Sequence, residues 1–377
     1  MPDEFNMDRD LTWNGPPNPS DIQTQVQKIL SQTPYACASL EKLSGGSANY
    51  VYRGILQNPL EDGAKTIVIK HTEGYVASSP NFKLSRLRGH YENTILTSLQ
   101  SLPPISTPLL SISTPKIYPL PSTTNTQIFS DLPLSTDLKT YCLTHALTTP
   151  QATHIGHSLG LWLKSFHVWG ADPAQKELRE KIKESTEMRA LKYQINYPTM
   201  IATIENFPDL LEGSRAVFED VAKDIKARLD ANEGELIHGD FWTGNIVLPN
   251  TPFQDTPSTP TPIYIVDWEL TCLSLPFFDV GQMCAELYEL KLFKNIDAGL
   301  TLISSFISGY GPVSRGFAFD VVIFVGNHLL CWGTRVAGWG TPEQIREVVV
   351  VGREMVVKGW EKDERFFGEG PWGSWFS

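Results

Sequence analysis

The stretch Leu236-Ile237-His238-Gly239-Asp240-Phe241-Trp242-Thr243-Gly244-Asn245-Ile246-Val247-Leu248 sets a short polar centre between two apolar runs. That pattern predicts two buried strands bracketing a loop. Asp240 is followed five positions later by Asn245. Phosphoryl transfer uses this layout: a carboxylate receives or orients the proton of an attacking hydroxyl, and an amide oxygen holds Mg2+. A second carboxylate, Asp267, ends the apolar run Ile263-Tyr264-Ile265-Val266. Mg2+ takes hard oxygen ligands, commonly one or two carboxylates beside phosphate oxygens, and Asn245 with Asp267 would supply them. The bland alternative is that Asp240 and Asn245 only cap a turn between strands. The second acidic motif weighs against it.

His238-Gly239-Asp240 through Asn245, then Val266-Asp267-Trp268-Glu269, resembles the aminoglycoside phosphotransferase and choline kinase family of small-molecule kinases. Phe241-Trp242-Thr243-Gly244-Asn245 and Asp267-Trp268-Glu269-Leu270 are most similar to its branch of methylthioribose and fungal 4-hydroxytryptamine kinases. Trp242 departs from the pattern, since many members carry His there. The resemblance covers roughly residues 40 to 340.

It implies an α+β, protein-kinase-like fold of two lobes, a small β-rich one and a larger helical one. The expected division is an arm and short helix at 1–30, an N-lobe at 31–129 and a hinge at 130–134. A C-lobe at 135–365 and a tail at 366–377 would complete it. The resemblance further implies ATP and Mg2+ as cofactors and a hydroxyl of a small molecule as acceptor. Asp240 would be the catalytic base, and Asn245 and Asp267 the metal ligands. The small-residue tip Ser44, Gly45, Gly46, Ser47 and Asn49 would cover the phosphates. There backbone amides can approach without a Cβ in the way. Lys70, ending the β-branched run Thr66-Ile67-Val68-Ile69, would contact the α- and β-phosphates. Glu92, on a helix over Leu87 to Leu99, would hold Lys70. The backbone of Ser130 and Leu132 would meet the adenine edge. Asp279 would support the catalytic loop by hydrogen bonding.

The positioning elements follow from periodicity and composition. A short amphipathic helix is predicted over Asp21 to Ser31 with Ser20 as its cap. Leu40 to Ile55 reads as a hairpin. Residues 101–115, rich in Pro, Ser and Thr, read as a loop. Strands follow at Lys116 to Tyr118 and Thr126 to Phe129. Helices are predicted at Thr153 to His167, Phe218 to Leu229, Val280 to Leu292 and Phe319 to Trp332. The charged stretch Gln175 to Lys192 reads as a solvated helix. Pro249 to Pro262 reads as an exposed hairpin tip.

Composition narrows the partners. A net charge of −11 and no basic cluster argue against nucleic acid. No apolar stretch reaches bilayer length, and Met1 to Asp10 carries acids rather than a basic segment before an apolar run. Five scattered cysteines without a CxxC pair are expected to be reduced, in a cytoplasmic protein.

Two motifs point elsewhere. Gly156-His157-Ser158-Leu159-Gly160 matches the nucleophile elbow of hydrolases, and Ser158, Asp267 and His328 run in hydrolase order. The elbow needs a strand just before it, and Leu147 to Thr153 reads as a helix start. Gly368 to Gly373 matches GxGxxG in letters, but Pro371 lies inside it, and a Rossmann loop opens a helix for which only four residues follow here. A fold that has kept nucleotide binding without turnover is the other alternative.

Overall fold

A computed structural model describes residues 18–43, 46–231, 233–335 and 338–376. The chain forms two compact units, Met1–Arg86 with Ile117–Asp131 and Leu87–Lys116 with Leu132–Ser377. The expected small lobe at 31–129 is therefore not one unit, because residues 87–116 fold with the second. Residues 1–17 of the expected arm lie outside the described residues.

The first unit is built on a five-stranded antiparallel sheet ordered Cys37–Lys42, Tyr50–Leu56, Thr66–His71, Thr126–Ser130, Ile117–Tyr118. Tyr52 pairs with Ile69, and Ile69 with Ile128, so alternate apolar residues share one face. The helix Pro19–Leu30 lays Ile22, Val26 and Leu30 into the same core. Its cap is Asn18, whose side chain accepts from Ser20 N, rather than Ser20 as the sequence suggests. Pro19 can occupy the first turn, where its missing N–H has no partner to lose, and this moves the start back.

The second unit carries a five-stranded sheet ordered Ser135–Asp137, Ile246–Pro249, Thr261–Ile265, Leu110–Ser113, Ile105–Ser106. Residues 101–115 thus hold two short strands where composition suggested only loop. Leu110–Ser113 lies parallel to Thr261–Ile265, a pairing between distant segments that local composition cannot announce. The helix Leu87–Leu99 is tied to this unit by two contacts. Arg88 Nε donates to Glu269 Oε2 at 2.9 Å, and Trp268 N donates to Glu92 Oε1 at 3.0 Å.

The helix Thr149–Ala171 begins in a capping box on Thr148 and Gln151 and packs against the helix Ala298–Tyr310. Glycines close this seam. A Cβ on Gly160 would stand 2.0 Å from Phe306 O, and one on Gly309 2.0 Å from His157 O. Gly156 and Gly160 are thus packing residues, and Ser158 is a buried position in mid-helix. The sharp strand-to-helix turn of a nucleophile elbow is not present at Ser158, and His328 bonds Glu286 instead. The helices Phe277–Lys294, Arg315–Cys331 and Pro342–Trp360 complete the core, and no described helix is long and apolar enough to cross a membrane. The aromatic tail is part of this unit, with Phe367, Trp372, Trp375 and Phe376 buried.

Candidate active site

The strand Glu235–Ile237 delivers the chain to Gly239, whose φ of +85° and position 2.2 Å (as a Cβ) from Leu270 O exclude any side chain. His238 and Phe241 on either side of Asp240 are fully buried, Phe241 stacking on Trp162 with ring centroids 6.2 Å apart. Asp240 is held between these two anchors. Asp279, from the first turn of Phe277–Lys294, accepts from His238 N at 2.8 Å and Gly239 N at 2.9 Å. It also meets His167 Nε2 at 3.2 Å. Burial alone would raise the Asp279 carboxyl, but these partners hold it below its ordinary value. Its charge therefore fixes the backbone just before Asp240.

His238 is neutral: burial brings its imidazole down to about 4. Its Nε2 bonds Val266 O at 3.1 Å and its Nδ1 accepts from Asp240 N at 3.2 Å, which defines the Nε2–H tautomer. Asp240 Oδ1 accepts from Gln282 Nε2 at 2.7 Å and Oδ2 from Asn245 Nδ2 at 3.1 Å. Burial pushes this carboxyl up to about 6, with Lys192 opposing and Asp267 adding to the rise. Lys192 is buried and its Nζ donates to Gln282 Oε1, so a cation orients the amide that touches Asp240. The sequence reading placed Lys192 on a solvated face. The charged stretch is instead two helices, Lys176–Ile182 and Thr186–Gln194, and only the second carries Lys192 inward.

Asn245 and Asp267 are brought together by strand pairing. Ile246 is opposite Ile265, and Val266 N donates to Asn245 O at 3.0 Å. Asn245 uses its amide nitrogen on Asp240 O and Oδ2, which leaves its oxygen as the ligand it can offer a cation. Asp267 sits at φ +65°, a left-handed conformation that costs a non-glycine residue about 1–3 kcal/mol and recurs at functional sites. On these adjoining segments a carboxylate and an amide oxygen would offer hard-oxygen donors of the kind Mg2+ takes.

In the first unit, Lys70 is buried in the central strand, paired with Val51 and Gln127. The hairpin tip is pinned where Ala77 N donates to Ala48 O at 3.2 Å and Ser78 N to Ser47 O at 2.9 Å. Gly46 and the buried Asn49 belong to this tip, whereas Ser44 and Gly45 lie outside the described residues. Ser130 ends its strand, and Asp131 beside it takes a bidentate contact from Arg53 at 2.8 and 3.1 Å. Leu132 begins the second unit.

Sequence reasoning missed Gln282 and Lys192. A signal for Gln282 was available: Asp279, Gln282, Glu286 and Glu289 recur at helical spacing and form one polar stripe on a buried, otherwise apolar helix.

Residues 69–301 match the phosphotransferase enzyme family, and the chain belongs to it. It is an enzyme that phosphorylates a hydroxyl group of a small molecule, on the two-lobed α+β fold of that family. It is 28% identical to the phosphotransferase FrzJ of a Cladobotryum species, over 94% of this chain and 96% of the relative. A 4-hydroxytryptamine kinase of Psilocybe cyanescens is 24% identical over 84% and 86% of the two chains. The crystal structure of a choline/ethanolamine kinase family protein from Mesorhizobium loti aligns with TM-score 0.48 and 14% identity, covering 92% and 99%.

Proposed function

We propose that the enzyme transfers the γ-phosphoryl group of ATP, bound with Mg2+, to a hydroxyl of an amino alcohol, a sugar or a hydroxylated aromatic amine. Two relatives named as 4-hydroxytryptamine kinases are consistent with the last of these. The observation that carries the reading is the juxtaposition of Asp240, Asn245 and Asp267. Two amides, from Gln282 and Asn245, orient the Asp240 carboxylate toward an incoming hydroxyl. Asp240 is the catalytic base, and Asn245 and Asp267 hold the metal, whose charge neutralises the phosphates. Such transfer is mainly positioning and charge neutralisation, and the buried bonding around the loop provides the positioning.

On the first unit, Lys70 serves the α- and β-phosphates, with Gly46, Ser47 and Asn49, preceded by Ser44 and Gly45, covering them. Glu92 supports the same end of the nucleotide, and Ser130 and Leu132 offer backbone groups to adenine. The five cysteines are free thiols, which supports a reducing compartment such as the cytoplasm.

The test is thermal unfolding with and without Mg2+-ATP, since a ligand of the native state raises the midpoint by mass action. A rise that requires both Mg2+ and Asp267, and is lost in Asp267→Ala, is the expected result. A rise unchanged in that variant would move the metal elsewhere.

A further inference from the structure

A cavity of about 430 Å³ lies in the second unit, outside the site described above. It is set among the helices Tyr197–Thr203, Arg215–Ala231 and Arg315–Cys331 and the end of Pro342–Trp360. No lining residue comes from the catalytic loop or from the segment that carries Asp267. The walls are largely apolar, built from the buried Val221, Ile225 and Ile323 together with Trp360. That size and lining suit a small organic molecule.

Tyr197 lines the cavity and is fully buried, and its hydroxyl has no hydrogen-bond partner among the described residues. Neighbouring rings hold it: Tyr193 stacks on it with centroids 5.5 Å apart, and Phe278 and Phe324 lie at 6.3 and 6.4 Å. Burial, and then the charge of Asp320, keep its phenol well above the ordinary value, with Arg228 opposing. Both of those charged groups line the same cavity, so the hydroxyl lies on the cavity side of the ring. A buried hydroxyl without a partner is destabilising, and a polar atom of a ligand would relieve it.

At the mouth, Lys362 supplies a charge. Its backbone sits at φ +61° just past the end of Pro342–Trp360, in the left-handed position that glycine usually takes. Lys362 N donates to Gly359 O at 3.2 Å and Asp363 N to Lys358 O at 3.0 Å, which closes the helix. A lysine here carries a backbone cost that glycine would not. The acids on either side, Glu361 and Asp363, pair with Lys358 instead, at 2.9 and 3.5 Å. Lys362 is exposed, and its ammonium meets no carboxylate among the described residues, resting 4.9 Å from the Phe319 ring centre. The other charges of the lining are paired. Arg228 donates to both oxygens of Asp320 at 2.8 and 2.7 Å, and Asp224 shares the same guanidinium at 3.5 Å.

We propose that this cavity is a second binding site, for a small aromatic acid that carries a hydroxyl or carbonyl at the end away from its carboxylate. The carboxylate meets Lys362 at the mouth, the ring lies against Trp360 and the aliphatic wall, and the far polar atom bonds the Tyr197 hydroxyl. Such a site is independent of the kinase reading above. It nevertheless adjoins the support of the catalytic loop. Phe278 packs on Tyr197, Arg228 lies 5.3 Å over the Phe277 ring, and these two phenylalanines lead directly into Asp279.

The experiment is calorimetric titration of the full chain with 4-hydroxyphenylacetate as probe. Phenylacetate lacks its hydroxyl, and 4-hydroxyphenylacetamide lacks its charge. Saturable binding of the probe is expected, with each of the other two weaker by about fivefold or more. Tyr197→Phe should bring the two acids to within about twofold of each other, and Lys362→Gly should do the same for the acid and the amide. Without ligand, neither variant should lower the thermal midpoint, because one deletes an unpaired hydroxyl and the other suits a left-handed backbone. Asp240→Asn should leave binding of the probe unchanged.

No saturable binding to wild type, discrimination unmoved by Tyr197→Phe and Lys362→Gly, or loss of binding in Asp240→Asn overturns the proposal. Tighter binding of tyramine than of the probe also overturns it, since Asp224 would then make the cavity a cation site. A fall in midpoint for Tyr197→Phe does the same, because the fold itself would be using the hydroxyl.

Discussion

Replacing Asp279 with Asn tests whether a single buried charge holds the catalytic loop. The carboxylate accepts from His238 N, Gly239 N and His167, three bonds from one fully buried group. Hydrogen bonds to a charged group contribute about 1.5–3 kcal/mol each. Asn presents one oxygen, which in the Oδ2 position can still accept from His238 N and His167 Nε2, and one N–H₂ group, which confronts Gly239 N with a donor. One such bond is lost and two buried donors are set against each other, and removal of a buried charge offsets part of this, leaving a net destabilisation of about 2–4 kcal/mol. For a chain of 377 residues that corresponds to a fall in midpoint of about 3–5 °C in thermal unfolding. Turnover should fall by about a hundredfold, because the backbone leading into Asp240 is no longer fixed.

The pH dependence carries a sign. Asp279 is held below its ordinary value, so its contribution is complete above the unfolded-state carboxyl range, near pH 4, and is lost as pH falls through the lower native value. The gap between wild type and Asp279→Asn should be constant from about pH 5 to neutrality and narrow below about pH 4. A midpoint shift of under about 2 °C at neutral pH, or a gap that widens in acid, would refute the assignment.

Asp240→Asn should lower turnover by about a hundredfold or more while the affinity for Mg2+-ATP stays within about threefold, measured by steady-state kinetics and nucleotide titration. Equal losses in both would contradict its role as base. Gly160→Ala should destabilise by about 3 kcal/mol or more, because the new methyl meets the carbonyl oxygen of Phe306 on a facing backbone rather than a side chain that can turn away. Thermal unfolding checks it, and a neutral outcome would mean the seam can open. Ser158→Ala should leave turnover unchanged, and a loss of activity would reopen the hydrolase reading.

The candidate site was legible as a site because it is concentrated in two short motifs whose polar residues interrupt apolar strands. Asp240, Asn245 and Asp267 could be named from order alone, and the structure places all three on adjoining segments of the second unit. The helix Leu87–Leu99 was legible for a similar reason, since its boundaries are set by local spacing. What local spacing could not reveal was which distant segment a residue would meet. One oxygen of Glu92 accepts the Trp268 amide 176 residues away, a contact that no local spacing announces. Lys192 lies in a run of charges that any local reading assigns to solvent, but a bend after Ile182 turns that residue toward Gln282. The strands within residues 101–115 were hidden because their Pro-, Ser- and Thr-rich composition resembles a loop until Thr261–Ile265 arrives to pair with them.

The glycine seam between Thr149–Ala171 and Ala298–Tyr310 has a consequence for how this enzyme can change its substrate range. Two helices closed backbone to backbone cannot be reshaped by exchanging side chains, since every larger residue at Gly156, Gly160 or Gly309 strikes a main-chain atom. That wall is mutationally silent: variation there selects against the fold before it can alter recognition. Diversification is therefore channelled to positions outside the seam, such as Trp242, whose side chains can be replaced one at a time. Laboratory evolution of new acceptors should spend its libraries there and leave the seam untouched.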